Sequence, residues 1–327
     1  MKRWIAALLC ALLLLSVSGA ALAAEPDTAD TIRISSAEDL LELAVRCTSD
    51  AWSEGKTIVL TRDISLTGHE FTPIPLLSGT FDGRGHSILG ISLDGNASTQ
   101  GLFRMVLKTG VVKGLTVSGT LRATGNGENI GGIAGVNYGT IENCRFDGDV
   151  RAQKTAGGIV GLNAEGAMVS ECETTGSIAA YHRSGGIAGE NRGVLDSCEN
   201  RMSVNTEYIA VDESETKKSF DISSLTLQEE TIVDITDLGG IAGLNSSLIK
   251  YCDNVGDVGY PHTGYNIGGV AGRQSGRMIG CTNDGEITGR KDVGGIVGQI
   301  EPHTAWNVTG AGLADVQSQL YRLDSLM

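Results

Sequence analysis

Gly131–Asn137 reads GGIAGVN, and five variants follow it: GGIVGLN from Gly157, GGIAGEN from Gly185, GGIAGLN from Gly239, GGVAGRQ from Gly268 and GGIVGQI from Gly294. The starts are 26, 28, 54, 29 and 26 residues apart, a period near 27 with one double step. A cysteine follows each of the first five pairs: Cys144, Cys172, Cys198, Cys252 and Cys281. It stands thirteen residues after the first glycine, or fifteen in the second copy. An apolar residue precedes it by three (Ile141, Val169, Leu195, Ile249, Met278), and another follows it by six (Val150, Ile178, Val204, Val258, Ile287). Positions +2 (Phe146, Thr174, Asn200, Asn254, Asn283) and +4 (Gly148, Gly176, Met202, Gly256, Gly285) complete the period-two spacing of one strand face. A unit with about three short strands between glycine turns cannot bury its own apolar side. It has to stack on its copies, which predicts a parallel β-solenoid. At the usual strand separation of about 4.8 Å, six or seven turns would rise about 30 Å.

Working outward, Gly101-Leu102-Phe103 opens a degenerate copy that continues through Val112, Leu115, Val117, Gly119 and Leu121, with Leu115 in the cysteine position. Thr57–Leu66 and Thr80–Leu93 read as earlier strands. Ser36 with Asp39 three residues on has the form of a helix N-cap, and Leu40, Leu41, Ala44 and Cys47 share one helical face. A short helix over Ser36–Cys47 is therefore expected to cover the first strand edges. Leu313, Val316, Leu320, Leu323 and Met327 are spaced as a heptad seam. That predicts a helical segment over 311–327, either a cap or the start of a longer coiled region in a larger surface protein.

The strings G-G-I-[AV]-G-x-N, I-x-N-C and N-x-G-x-V resemble the GLUG repeat of bacterial surface proteins. The stretches ISSAEDLLELA, IVLTRDISLTG, GTFDGRGHSILGISL and GLF are similar to the first turns of pectin-lyase-like right-handed β-helices. Together they cover roughly residues 32–300. The resemblance implies an all-β, right-handed parallel β-helix and an extracellular module found beside adhesins and some surface proteases. It brings no catalytic residue, and the His-Glu-x-x-His of a metalloprotease partner does not occur.

Of 327 residues, 46 are glycine, and the formal charge is −14. An acidic chain lacks the basic footprint of a nucleic-acid binder. Lys2 and Arg3 precede an apolar run, Trp4–Val17, and Ala21-Leu22-Ala23 offers a cleavage site. This is the form of a secretory signal over 1–24. No later stretch has the apolar length of a membrane span. The expected organisation is signal 1–24, N-terminal cap 25–56, β-helix 57–310 with an insertion at about 205–238, and the helical segment 311–327. Asn96, Asn245 and Asn307 begin Asn-x-Ser/Thr sequons.

Six cysteines remain after Cys10 leaves with the signal. Parallel side chains in a ladder suit disulfide geometry poorly, and no Cys-x-x-Cys occurs. Buried free thiols acting as small hydrophobes are expected, with a disulfide or a metal as alternatives. No cofactor is implied. Asp82, Arg84 and His86 form the most catalytic-looking group, opposed by the reading that Asp82 caps its own turn. Asp147/Asp149, Asp253/Asp257 and Asp284/Glu286 recur near one turn and read either as calcium ligands or as a solvated acidic edge.

One corner differs from the rest. Gln153-Lys154, Tyr181-His182-Arg183, Tyr260–Tyr265 and Arg290-Lys291 would stack into a basic and aromatic strip, from which the insertion also projects. Tyr181, His182, Arg183, Tyr260, His262 and Tyr265 are the candidate ligand residues, against the reading of ordinary solvated turns. The expected function is a non-catalytic secreted or bacterial cell-surface module that binds a polysaccharide or a host or cell-surface protein. The alternatives are a polysaccharide lyase or glycoside hydrolase, and a structural spacer.

Overall fold

Each turn of the chain contributes four short strands rather than the three read from the repeat. In the copy that opens the pattern these are Asn129–Gly131, Ala134–Asn137, Thr140–Glu142 and Arg145–Arg151. The extra strand arises because the Gly-Gly pair is itself a corner, with a strand on either side. We number the faces 1 to 4 in that order. The computed structural model describes residues 30–49, 52–124, 127–207, 216–221, 226–231 and 235–302. The expected signal at 1–24 and helical segment at 311–327 lie outside the described residues.

The four faces are parallel sheets of seven, eight, nine and eight strands, stacked turn on turn. The solenoid therefore has about nine turns rather than six or seven. The additional turns come from the N-terminal part, where Thr57–Leu60 and Thr80–Asp82 continue face 3 without a Gly-Gly signal. The strand Thr31–Ile34 heads the same sheet. The register follows the repeat. Ile141, Val169, Leu195, Ile249 and Met278 pair in succession on face 3. On face 4, Val150, Ile178 and Val204 stack, and Val258 and Ile287 continue the column. Thr116 pairs with Arg145, which sets Leu115 level with Cys144.

The motif isoleucines supply the centre of the core: Ile133, Ile159, Ile187, Ile241 and Val270 are all 0% exposed. The second glycine of each pair lets face 4 close on that corner. A Cβ on Gly132 would lie 2.2 Å from the ring of Phe146, and one on Gly186 would lie 2.1 Å from the Asn200 side chain.

Near the N-terminus, α1 (Ala37–Arg46) starts at Ser36, whose hydroxyl accepts from Asp39 N at 3.2 Å. The Asp39 carboxylate in return accepts from the backbone N of Ser36 (3.1 Å) and Ser35 (2.8 Å), closing a capping box. Those bonds hold the Asp39 carboxyl below its usual range. Leu40, Leu43, Ala44 and Cys47 are buried in the core, while Leu41, expected on that face, is only half-buried.

The double step in the repeat is an insertion between faces 4 and 1. It contains an antiparallel hairpin, Thr216–Asp221 with Thr226–Thr231, in which Lys217 faces Glu230 and Lys218 faces Glu229. Among the described residues, no helix is long and apolar enough to cross a membrane.

Candidate functional site

The recurring polar residues inside the repeat hold the scaffold. Asn137, Asn163, Asn191 and Asn245 are all 0% exposed. Each donates from Nδ2 to the residue one turn on: Asn137 to Asn163 (3.0 Å), Asn163 to Asn191 (2.9 Å), Asn191 to Asn245 (2.7 Å), and Asn245 to Gln274 Oε1 (2.8 Å). Thr174, Asn200, Asn254 and Asn283 form a second ladder on face 4. The sequon at Asn245 is thereby buried, whereas Asn96 is exposed and Asn307 lies outside the described residues.

Among the described residues, the five repeat cysteines stack and none is in a disulfide; Cys144, Cys172, Cys198 and Cys252 are buried and Cys281 is half-buried. Each Sγ points to the carbonyl two residues back, as in Cys144 to Glu142 O (3.3 Å) and Cys172 to Ser170 O (3.2 Å). The residue between them is left-handed: Asn143 has φ 49° and Glu171 has φ 53°. The thiols thus brace the corner between faces 3 and 4. Burial pushes the Cys172 thiol well up, and the Cys252 thiol is raised first by its hydrogen-bonding contact with Cys198 and then by burial.

The Asp82 group is a turn. Asp82 Oδ1 accepts from Arg84 N at 2.9 Å, and His86 faces Asp63 rather than Asp82, at 3.4 Å. The recurring carboxylates accept bonds from neighbouring turns: Asp147 from Thr175 (2.8 Å), Asp149 from Ser177 (2.6 Å), Asp253 from Thr282 (2.6 Å) and Asp257 from Glu286 N (2.8 Å). Among the described residues, no group of three or more His, Cys, Asp or Glu side chains is arranged to hold a metal ion.

The basic and aromatic corner forms a column on face 1. His182 pairs with Thr236, Thr236 with Tyr265, and Tyr265 with Lys291. Lys154 sits one turn before His182, whose N donates to Lys154 O at 3.1 Å. Beside this column, faces 1 and 2 meet in a crease. The third motif glycine allows it, since a Cβ on Gly189 would lie 2.5 Å from Thr155 Cγ2 and 2.9 Å from Ala156 N. Val136, Leu162 and Glu190 stack along its floor.

A cavity of about 400 Å³ opens in this crease, lined by Glu128, Lys154, His182, Arg183, Glu190 and Arg192 among others. Glu190 is 5% exposed. Its two oxygens accept from different arginines, Oε2 from Arg183 Nη1 at 2.8 Å and Oε1 from Arg192 Nε at 2.5 Å. Lys154 Nζ pairs with Glu128 Oε1 at 3.2 Å, and His182 Nδ1 lies 3.3 Å from Thr236 Oγ1. Further along, Asp237 is held by Arg273 (2.7 Å) and Asn266 (2.8 Å).

Of the candidate ligand residues, His182 and Arg183 enter the cavity. Tyr181 is half-buried against the core. Tyr265 lies two turns from His182, with the Arg290 guanidinium 5.7 Å from its ring centre. Tyr260 is half-buried at that corner, and His262 is exposed with φ 60°. Glu128, Glu190 and Arg192 were not foreseen. Glu190 carries a signal: it is the one carboxylate at a motif position otherwise filled by Val136, Leu162, Leu244, Arg273 and Gln299.

Comparison with known proteins agrees with this architecture. Residues 126–151 match the family described as the GLUG motif. A segment of 113 residues, 33% of this chain, is 33% identical to halomucin of Haloquadratum walsbyi, and spans 1% of that protein's length. A crystal structure of a Bacteroides ovatus protein, provisionally described as an immunoglobulin A1 protease, superposes with a TM-score of 0.59 at 16% identity, covering 83% of this chain and 82% of the other. At that identity the likeness is one of fold. The chain is a parallel β-solenoid that carries a match to the GLUG motif at residues 126–151.

Proposed function

We propose that this chain is a secreted or surface-displayed binding module, non-catalytic, that contacts a glycan or a cell-surface partner through the edge formed by the crease and the hairpin insertion. The observation that carries this reading is the meeting of three features on one edge: the cavity over Glu190, the face 1 column from Lys154 to Lys291, and the root of the insertion beside Thr236. The double ladder of buried amides makes the remaining faces a rigid support, as a displayed site requires. Right-handed winding, export through a signal at 1–24 and an α1 that covers the first turn belong to the same reading. The commitment of Asp82 to its own turn supports binding over hydrolysis or lysis.

The test incubates the purified full chain with acidic and neutral polysaccharides and with bacterial and host cell surfaces. Retention is measured alongside release of reducing ends and unsaturated uronides. Retention without product supports the proposal. New chain ends on any polymer would replace it with an enzymatic one.

A further inference from the structure

We infer that the cavity over Glu190 receives the carboxylate or sulfate groups of an acidic polysaccharide, an assignment that rests on the crease being the binding edge. Glu190 is almost fully buried, and an ionised carboxylate in that position must be paired to be tolerated. It is paired twice, by Arg183 and Arg192. One negative charge holding two guanidinium groups leaves an excess of one positive charge. Each arginine spends one N–H on Glu190 and has further donors in its planar fork. Lys154 adds a third cation, tied to Glu128 in a pair exposed on both sides, which an incoming anion can exchange at little cost. The lining thus holds three cations against two carboxylates, on a chain whose formal charge is −14. A basic concavity on an acidic molecule concentrates anionic ligands locally.

The chemistry of the site narrows the ligand. Two guanidinium forks anchored from behind by one carboxylate match planar or tetrahedral oxyanions, for which arginine is better suited than lysine. The crease runs along the stacking direction, where side chains recur about every 4.8 Å. A polymer with acid groups along its length can therefore meet Lys154 and His182 on successive turns and continue toward Tyr265 and Lys291. An acidic peptide is the less favoured occupant. Peptides commonly add to an open sheet edge, and here the strands beside the cavity are paired on both sides within faces 1 and 2.

The experiment measures binding of the full chain to polygalacturonate, dextran sulfate, unmodified dextran and poly-glutamate, at low and at raised salt. The variants are Arg192→Gln, Lys154→Gln and their combination, with thermal melts to confirm folding; Lys154 is half exposed, so Lys154→Gln tests the site even where Arg192→Gln unfolds. The expected result is binding of polygalacturonate or dextran sulfate but not dextran, weakened by salt and at least tenfold weaker in the double variant. Which acidic polymer binds tells carboxylate from sulfate recognition. Acidic-polymer binding unchanged in folded variants, or no acidic-polymer binding, overturns the anion site. Stronger binding of poly-glutamate than of either acidic polysaccharide overturns the polysaccharide assignment. The binding-edge reading has a separate test: cell-surface retention lost on Tyr265→Ala and His262→Ala but kept in the double variant leaves that reading intact while the anion site falls.

Discussion

Asn191 and Asn245 are 54 residues apart in sequence, yet Asn191 Nδ2 donates to Asn245 Oδ1 at 2.7 Å in the core. The same separation joins Asn200 to Asn254 at 2.7 Å. The double step in the repeat is thus spanned by uninterrupted stacking, and the intervening residues are added to the edge of a continuous solenoid. Each buried amide is used on both sides: Asn191 Oδ1 also accepts from Gly193 N at 3.2 Å. A side chain that satisfies its own strand and the next turn fixes register as well as burial, because a slip of one residue would strand several polar groups at once.

Replacement of Asn191 by leucine therefore leaves Asn163 Nδ2, Asn245 Oδ1 and Gly193 N each short of a partner. Unsatisfied buried groups cost about 1–3 kcal/mol each, less whatever bonds the neighbours re-form, so a loss of about 2–4 kcal/mol is expected. Urea midpoints of Asn191→Leu and of the exposed control Asn96→Leu measure it. Equal midpoints would show that the ladder contributes no stability.

Excising residues 207–233 and joining the ends with a short Gly-Asn linker is expected to leave the solenoid intact. Val204 already forms a bridge with Val258, and His182 pairs with Thr236, on either side of the cut. Far-ultraviolet circular dichroism should keep its β signature, and the urea midpoint should move by less than the effect of Asn191→Leu. Retention on cell surfaces should fall, since the hairpin root adjoins the proposed edge. A chain that fails to fold after the excision would make the insertion part of the scaffold.

The closeness of faces 1 and 2 predicts a strong position dependence for alanine. At Gly189 a Cβ would meet Thr155 Cγ2 at 2.5 Å and Ala156 N at 2.9 Å. A β-branched side chain and a paired backbone have little room to move, so Gly189→Ala should cost about 1–3 kcal/mol, as overpacking does. At Gly95 a Cβ meets nothing within 4 Å, and Gly95→Ala should be neutral or slightly stabilising. Comparable destabilisation at both sites would contradict the crease geometry.

Much of this scaffold was legible in the sequence because its signals are periodic. Gly-Gly corners recur six times, the cysteine column and the residues six beyond it follow the first five of them, and recurrence at one period forces stacking. The number of turns was less legible, since the N-terminal turns keep the buried apolar columns, with Ile58, Phe81 and Ile88, but lack the Gly-Gly signature. The site was read in part. His182 and Arg183 stood out because their corner is basic and aromatic. Glu190 and Arg192 did not, because outward positions of face 2 vary between copies, and only folding places Glu190 under two arginines. The recurrence of asparagine was visible, but its side-chain ladder follows from stacking distance, which a single copy does not carry.

The thiols give the last prediction. Cys47, the C-cap of α1, is shielded from water, and burial raises its thiol from the ordinary 9.0 to about 11, partly offset by a hydrogen bond with Ser53. Below pH 9 the thiol is protonated in both the folded and the unfolded chain and contributes nothing to the pH dependence. Between pH 9 and 11 the unfolded chain releases this proton while the folded chain holds it, so the folded state binds more protons and stability falls as pH rises. The Cys172 thiol, raised chiefly by its own burial, acts in the same direction. Removing one of these groups should flatten the decline. Urea midpoints measured from pH 8 to pH 11 should therefore fall less steeply in Cys47→Ala than in the unaltered chain, even though the variant starts lower for the packing it loses. The lysines and tyrosines that titrate in the same window are common to both proteins and cancel in the comparison. Parallel declines would mean that Cys47 ionises as readily in the folded chain as in the unfolded one, and that α1 does not shield it from water.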